Sequence, residues 1–159
     1  MDRYYNIFAI DDLGKIYTWG ENTDGELGNG TTENSNLPVC ISELENSALK
    51  GKKIDEIYYI FFDGLHIIAR DKDEKIYTWG TNNGISLGSG IPEQNNIPIS
   101  ISDNSNNELY NKKIKDIIDF YDSWEDEDFG YYVNMNIYIC QDGKVMYFYQ
   151  RASYVPQPA

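Results

Sequence analysis

One seven-residue segment occurs twice in this chain. Residues 14–20 read Gly-Lys-Ile-Tyr-Thr-Trp-Gly and residues 74–80 read Glu-Lys-Ile-Tyr-Thr-Trp-Gly, an offset of 60. The match runs on without a gap through Leu27-Gly28 and Leu87-Gly88, Pro38 and Pro98, and Lys52-Lys53-Ile54 and Lys112-Lys113-Ile114. Nearly half of the aligned positions are identical, which chance does not produce in an ungapped alignment. A worn third copy begins at Gly143-Lys144-Val145, with Phe148 in the place of Trp19 and Trp79. Its offset from the second copy is 69, so nine residues are inserted, within about residues 121–132. A unit repeated at this period cannot bury its apolar face alone and must stack on its neighbours.

Local signals within the unit favour strands. Ile76-Tyr77-Thr78-Trp79 is rich in β-formers, and Asp11-Asp12-Leu13-Gly14 is a turn signal. Residues 53–61 are ambiguous by pattern. Ile54, Ile57 and Ile60 have helical spacing, whereas Tyr58, Tyr59 and Phe61 favour a strand.

The unit resembles the repeat of the regulator-of-chromosome-condensation (RCC1-like) family of seven-bladed β-propellers. The residues that carry the resemblance are Gly14 to Gly20, Asp24 to Gly28, Pro38, Lys52-Lys53-Ile54, Gly64-Leu65-His66 and Glu74 to Gly80. The match is good over residues 4–119 and poor over 131–149. Ile85 stands where the family has a glycine, Asn6 and Met135 where it has the histidine. The resemblance implies an all-β fold of antiparallel four-stranded propeller blades, and it makes 53–61 a strand. Ten strands are then expected, near 4–10, 15–19, 38–42, 53–61, 65–70, 75–79, 97–102, 114–121, 131–139 and 144–149. Strands from 38 to 79 are expected to form one blade, those from 97 to 149 a second, and residues 4–19 half of another.

The whole of 1–159 is expected to be one partial-propeller domain, with repeats near 1–60, 61–120 and 121–150 and a tail at 151–159. A closed propeller at about 50–60 residues per blade needs ~350 residues. An arc of two and a half blades leaves two apolar end faces uncovered. Copies assembling into a ring, a larger gene product, or a self-capped arc would each cover them. Self-association or a bound partner is the preferred expectation.

Composition narrows the function classes. Thirteen basic against 26 acidic residues give a net charge of −13, a field that repels nucleic acid and anionic membranes. No apolar run reaches the ~18 residues of a membrane helix. The first twenty residues show no leader pattern, so a cytoplasmic location is expected. The two cysteines, Cys40 and Cys140, form no zinc-ligand spacing, and no cofactor or metal is expected. The one histidine, His66, reads as a structural group, not a catalytic base. Gly25 to Gly30 lacks the Gly-Lys-Ser/Thr ending of a phosphate loop and reads as a tight turn. Trp19, Gly20, Gly28, Trp79, Gly80 and Gly88 are expected to hold the repeats together.

Residues 119–132 are what the repeat does not explain. Here Trp124, Glu125, Asp126, Glu127, Asp128, Phe129 and Tyr131 combine carboxylates with aromatics. A projecting loop of this kind offers charges to a basic protein surface and rings as buried anchors; a merely solvated acidic loop is the bland alternative. The expected function is a non-enzymatic protein-binding module, including an inhibiting or neutralising role. A guanine-nucleotide exchange activity on a small GTPase, as the family resemblance implies, and a self-assembling structural piece are the alternatives.

Overall fold

The computed structural model describes residues 6–61, 65–81, 94–125 and 130–154. Among these are ten β-strands and no α-helix. They are β1 (Ile7–Ile10), β2 (Ile16–Gly20), β3 (Ser35–Cys40), β4 (Ile54–Phe61), β5 (Leu65–Asp71), β6 (Ile76–Thr81), β7 (Gln94–Ser100), β8 (Ile114–Glu125), β9 (Gly130–Cys140) and β10 (Val145–Tyr154). The ambiguous segment 53–61 is thus a strand, as the aromatic content favours. All pairings are antiparallel.

The strands form three sheets, β1-β2-β3, β4-β5-β6-β7 and β8-β9-β10. The expected grouping is therefore corrected by one strand. β3 does not open the blade that ends at β6; it returns beside β2, with Tyr17 opposite Cys40 and Thr18 opposite Val39. β7 likewise closes the middle sheet, with Tyr77 opposite Ser100. The physical reason lies in residues 41–53. This stretch holds fully buried Ile41 and Leu49, which pack between the first and middle sheets. It is the crossover, and a strand before it belongs to the sheet it leaves.

The same turn chemistry joins β1 to β2 and β5 to β6. Asp11 Oδ1 accepts from the Leu13 and Lys15 amides at 3.0 and 2.8 Å. Asp71 Oδ1 accepts from the Asp73 and Lys75 amides, both at 2.9 Å. In each case a short carboxylate organises the turn by bonding backbone two and four residues on. Consecutive sheets are tied at this end by equivalent backbone bonds. Ile54 donates to the Gly14 carbonyl at 3.0 Å and Ile114 to the Glu74 carbonyl at 2.8 Å.

The middle sheet is covered on both faces. Ile67, Ala69, Tyr77 and Trp79 on one face pack with Ile16, Ile41 and Leu49 of the first sheet and its crossover. Ile68 and Ile76 on the other face pack with Ile117, Tyr138 and Cys140 of the third sheet. This explains why β5 is buried from Leu65 through Ala69 without alternation, the signature of a strand enclosed on two sides.

Trp79 locks the first interface. It is fully buried, and its indole Nε1 donates to the Glu26 carbonyl at 2.9 Å. Gly28, at φ +66°, lies against the ring, and a Cβ there would stand 2.7 Å from Trp79 Cδ1. Only glycine both adopts this backbone and leaves room for the indole. Gly80 is similarly constrained, since a Cβ would run into the Leu65 carbonyl oxygen. Gly25 to Gly30 is accordingly the seat of a neighbouring tryptophan, built as the tight turn that was expected.

Candidate interaction surface

The third sheet departs from the middle one by length. β8 is four residues longer than β4, and β9 four longer than β5. The segment between the pair is four residues in place of three. These differences account for all nine inserted residues. Eight of them lengthen strands, so the insertion is an extended hairpin and not a long loop.

That placement revises the acidic-aromatic segment. Trp124 and Glu125 are in β8 and Tyr131 is in β9. Their backbones are in ladder register, Trp124 opposite Tyr131 and Glu125 opposite Gly130. Asp126, Glu127, Asp128 and Phe129 lie outside the described residues, as does Gly88 among the repeat positions.

Charge is distributed unevenly along the sheets. All ten lysines fall at residues 15, 50–53, 72–75, 112–115 and 144, around the turns and crossovers that join the sheets. Many are neutralised locally. Lys15 pairs with Glu43, Lys75 with Asp103 at 2.6 Å, and Lys112 with Asp142 at 3.2 Å. Residues 116–143, by contrast, hold eight acids and no lysine or arginine. Asp119, Asp122 and Glu125 follow one another along β8, away from the lysine-rich end. Asp122 is exposed. Partial desolvation raises the Asp119 carboxyl above the ordinary aspartate value.

The outer face of this sheet is apolar. Ile118 and Phe120 of β8 are 46% and 48% exposed, and Val145 and Tyr147 of β10 are 59% and 61% exposed. Ile118 and Tyr147 both stand opposite Ile137, and Phe120 stands opposite Met135, so these residues share one face. The sequence reading did not single them out. The repeat offsets hold the signal, because Val145 aligns with buried Ile76 and Ile118 with Tyr58 of the core edge.

His66 lies in β5, opposite Gly80 of β6. It is buried, with Nδ1 2.5 Å from the Thr81 carbonyl and Nε2 2.6 Å from Thr78 Oγ1. A carbonyl only accepts, so Nδ1 carries the proton and Nε2 accepts from the threonine. Burial pulls its pKa down to about 4, and the ring is neutral at pH 7. Burial pushes the Cys140 thiol up. No group of three or more His, Cys, Asp or Glu suited to a metal ion occurs among the described residues. The groove beside Lys15, Lys50, Lys52 and Lys53, about 410 Å³, is shallow and open.

Comparison with known proteins supports the same architecture. The family described as regulator of chromosome condensation (RCC1) repeat matches residues 14–55. An RCC1 repeat-containing protein of Dictyostelium discoideum is 38% identical over 74 residues, covering 46% of this chain and 14% of that protein. The human E3 ubiquitin-protein ligase HERC2 is 32% identical over 82 residues, 52% of this chain and 2% of the ligase. The crystal structure of human WBSCR16 superposes with a TM-score of 0.56 at 16% identity, over 85% of this chain and 30% of that one. The chain thus spans a small part of each of these relatives. The repeats are RCC1-like, and the fold is that of propeller blades.

Proposed function

We propose that this chain, built of RCC1-like repeats, is a protein-interaction module that presents the β8–β9 hairpin to a basic protein surface. The observation that carries the reading is the coincidence of length and charge. The one hairpin seen to extend beyond the repeat is also where six acids, from Asp119 to Asp128, stand in a stretch with no basic residue. A paired hairpin holds its side chains at fixed spacing, so less ordering entropy is lost on binding than from a free loop. Concentrated negative charge speeds encounter with a basic partner and makes it sensitive to salt. A module of this kind can also neutralise the basic protein it covers.

The test replaces Glu125, Asp126, Glu127 and Asp128 with serine. Pull-downs with both chains, at low and moderate salt, are expected to show basic proteins retained by the parent and lost by the variant. Association with each captured protein should slow by roughly tenfold or more at low salt, with a flatter salt dependence. An identical set of captured proteins, with unchanged salt dependence, would show that the hairpin is only solvated.

A further inference from the structure

We propose that the two end sheets are complementary halves of one interface, and that copies of this chain associate head to tail through them. The registers of the first and middle sheets match. In the middle sheet, Ile67 stands opposite Trp79 and Ala69 opposite Tyr77, and all four are fully buried against the first sheet. In the first sheet, Ile7 stands opposite Trp19 and Ala9 opposite Tyr17. The residue pairs are the same, but among the described residues no further sheet packs over them. Ile7 is 44% exposed, Ala9 is exposed, and Tyr17 and Trp19 are half-buried.

The opposite end shows the converse. The middle sheet meets the third through Tyr58, Ile68 and Ile76. The matching positions of the third sheet are Ile118, Ile137 and Val145. They keep apolar side chains, although Ile118 and Val145 are 46% and 59% exposed. The middle sheet lies between the other two, so these two uncovered faces point away from each other. One is of the kind that packs on a preceding sheet, the other of the kind that packs on a following sheet. Both internal interfaces join those two kinds. A second copy supplies the missing neighbour at either end and continues the packing already present inside the chain. The trailing face uses Ile118 and Ile137 of β8 and β9 but none of the four acids from Glu125 to Asp128, so the serine replacements above and the lysine variants below test the two proposals separately.

Such a contact is heterologous: it uses different patches on the two copies and leaves one face of each kind open after every addition. It therefore leads to rings or open chains, not to a closed two-fold dimer. Light scattering on a sizing column is expected to give a mass that exceeds the dimer and grows with loading until a ring closes. Ile7→Lys with Ala9→Lys disables the leading face, and Ile118→Lys with Val145→Lys the trailing face. Each double variant alone should be a monomer. Mixed, they should form a one-to-one dimer and nothing larger, because one good face of each kind remains. All four sites are exposed, and unchanged circular dichroism and melting of the isolated variants establish that they fold. A parent chain that stays monomeric at its highest soluble concentration overturns the proposal. So does a fixed dimer that survives either double variant, or a mixture that fails to pair.

Discussion

The middle and third sheets are copies of one unit, and at matched positions they solve the same packing problem differently. In the middle sheet the Tyr77 hydroxyl donates to Asp71 Oδ2 at 2.7 Å, and Thr78 bonds His66 at 2.6 Å. Both are polar pairs inside an enclosed sheet. In the third sheet Asp71 and Tyr77 become Cys140 and Met146, and His66 and Thr78 become Met135 and Tyr147. Each pair is exchanged as a pair. Removing one partner alone would leave a buried polar group unsatisfied, at a cost of roughly 1–3 kcal/mol, whereas exchanging both for apolar groups is close to neutral. Cys140 and Met146 join the core between the middle and third sheets, beside the edge contact of Tyr138 with Phe148 at 5.5 Å, whereas Met135 and Tyr147 stand on the outer face, with Tyr147 exposed.

The sharpest test of this contrast compares two tryptophans in equivalent strands. Trp79 is enclosed by the preceding sheet and seated on Gly28, whereas Trp19 stands on an end face and is only partly buried. Trp79→Ala is expected to destabilise the chain by about 3–5 kcal/mol, the usual cost of emptying a large buried aromatic site. Trp19→Ala should cost less than half of that in the monomer. The comparison is made by urea unfolding of both variants at low protein concentration. Equal losses would mean that the end face is already covered, and the distinction between enclosed and open sheets would fall.

The histidine of the middle sheet provides the next largest effect. Its pKa is about 4 in the folded chain against an ordinary value near 6.5. Between these values the unfolded chain binds the extra proton and the folded chain does not. Stability is therefore fully present above about pH 6.5 and falls as pH drops toward 4, by on the order of 3 kcal/mol. Above pH 5 ordinary carboxylates remain ionised, so the upper part of the slope belongs to His66. Melting temperatures from pH 7 to 5 should fall for the parent chain. They should flatten in His66→Gln, although that variant starts lower at pH 7. A parent chain with no slope between pH 6.5 and 5 would contradict the neutral, doubly bonded ring.

Much of this architecture is legible in the sequence because a repeat carries its own register. The offset of 60 aligns β1, β2, β3 and β4 with β5, β6, β7 and β8, and the strand-forming residues of each copy fall in the same places. His66 and Gly25 are readable only from the family pattern, because the other copies carry Asn6, Met135 and Ile85 at those places. Two features are not. The crossover at 41–53 contains Ile41 and Leu49, which look like any short apolar segment; only their burial between two sheets shows where one blade ends. The acidic stretch after Asp119 looks like a solvated loop by composition. Ladder pairing with β9 overrides that, since Asp122 and Trp124 stand opposite Val133 and Tyr131 and each backbone pairing needs no contribution from the side chain's polarity. Exposure of Ile118, Phe120 and Val145 is likewise a property of what lies beside the sheet, which no local pattern records.

The smallest effect concerns how the two internal interfaces differ. Arg70 occurs in the middle sheet where the first sheet has Ile10 and the third has Ile139. Its guanidinium pairs with Glu56 at 2.7 Å and with Asp55 at 3.5 Å, and Nη1 reaches the Lys115 carbonyl on β8. The middle and third sheets are therefore cross-linked by a charged hydrogen bond that has no counterpart between the first and middle sheets. The side chain is only 17% exposed, but its carboxylate partners face solvent, so their attraction is screened. Arg70→Ala is expected to cost roughly 1 kcal/mol, most of it from the lost bond to the Lys115 carbonyl and the stem's packing. Arg70→Lys keeps the charge but loses the forked geometry, and should recover less than half of the loss. If high salt abolished the difference between parent and Ala variant, the ion pairs would be the dominant part. A difference that persists assigns it to the backbone contact across the sheets.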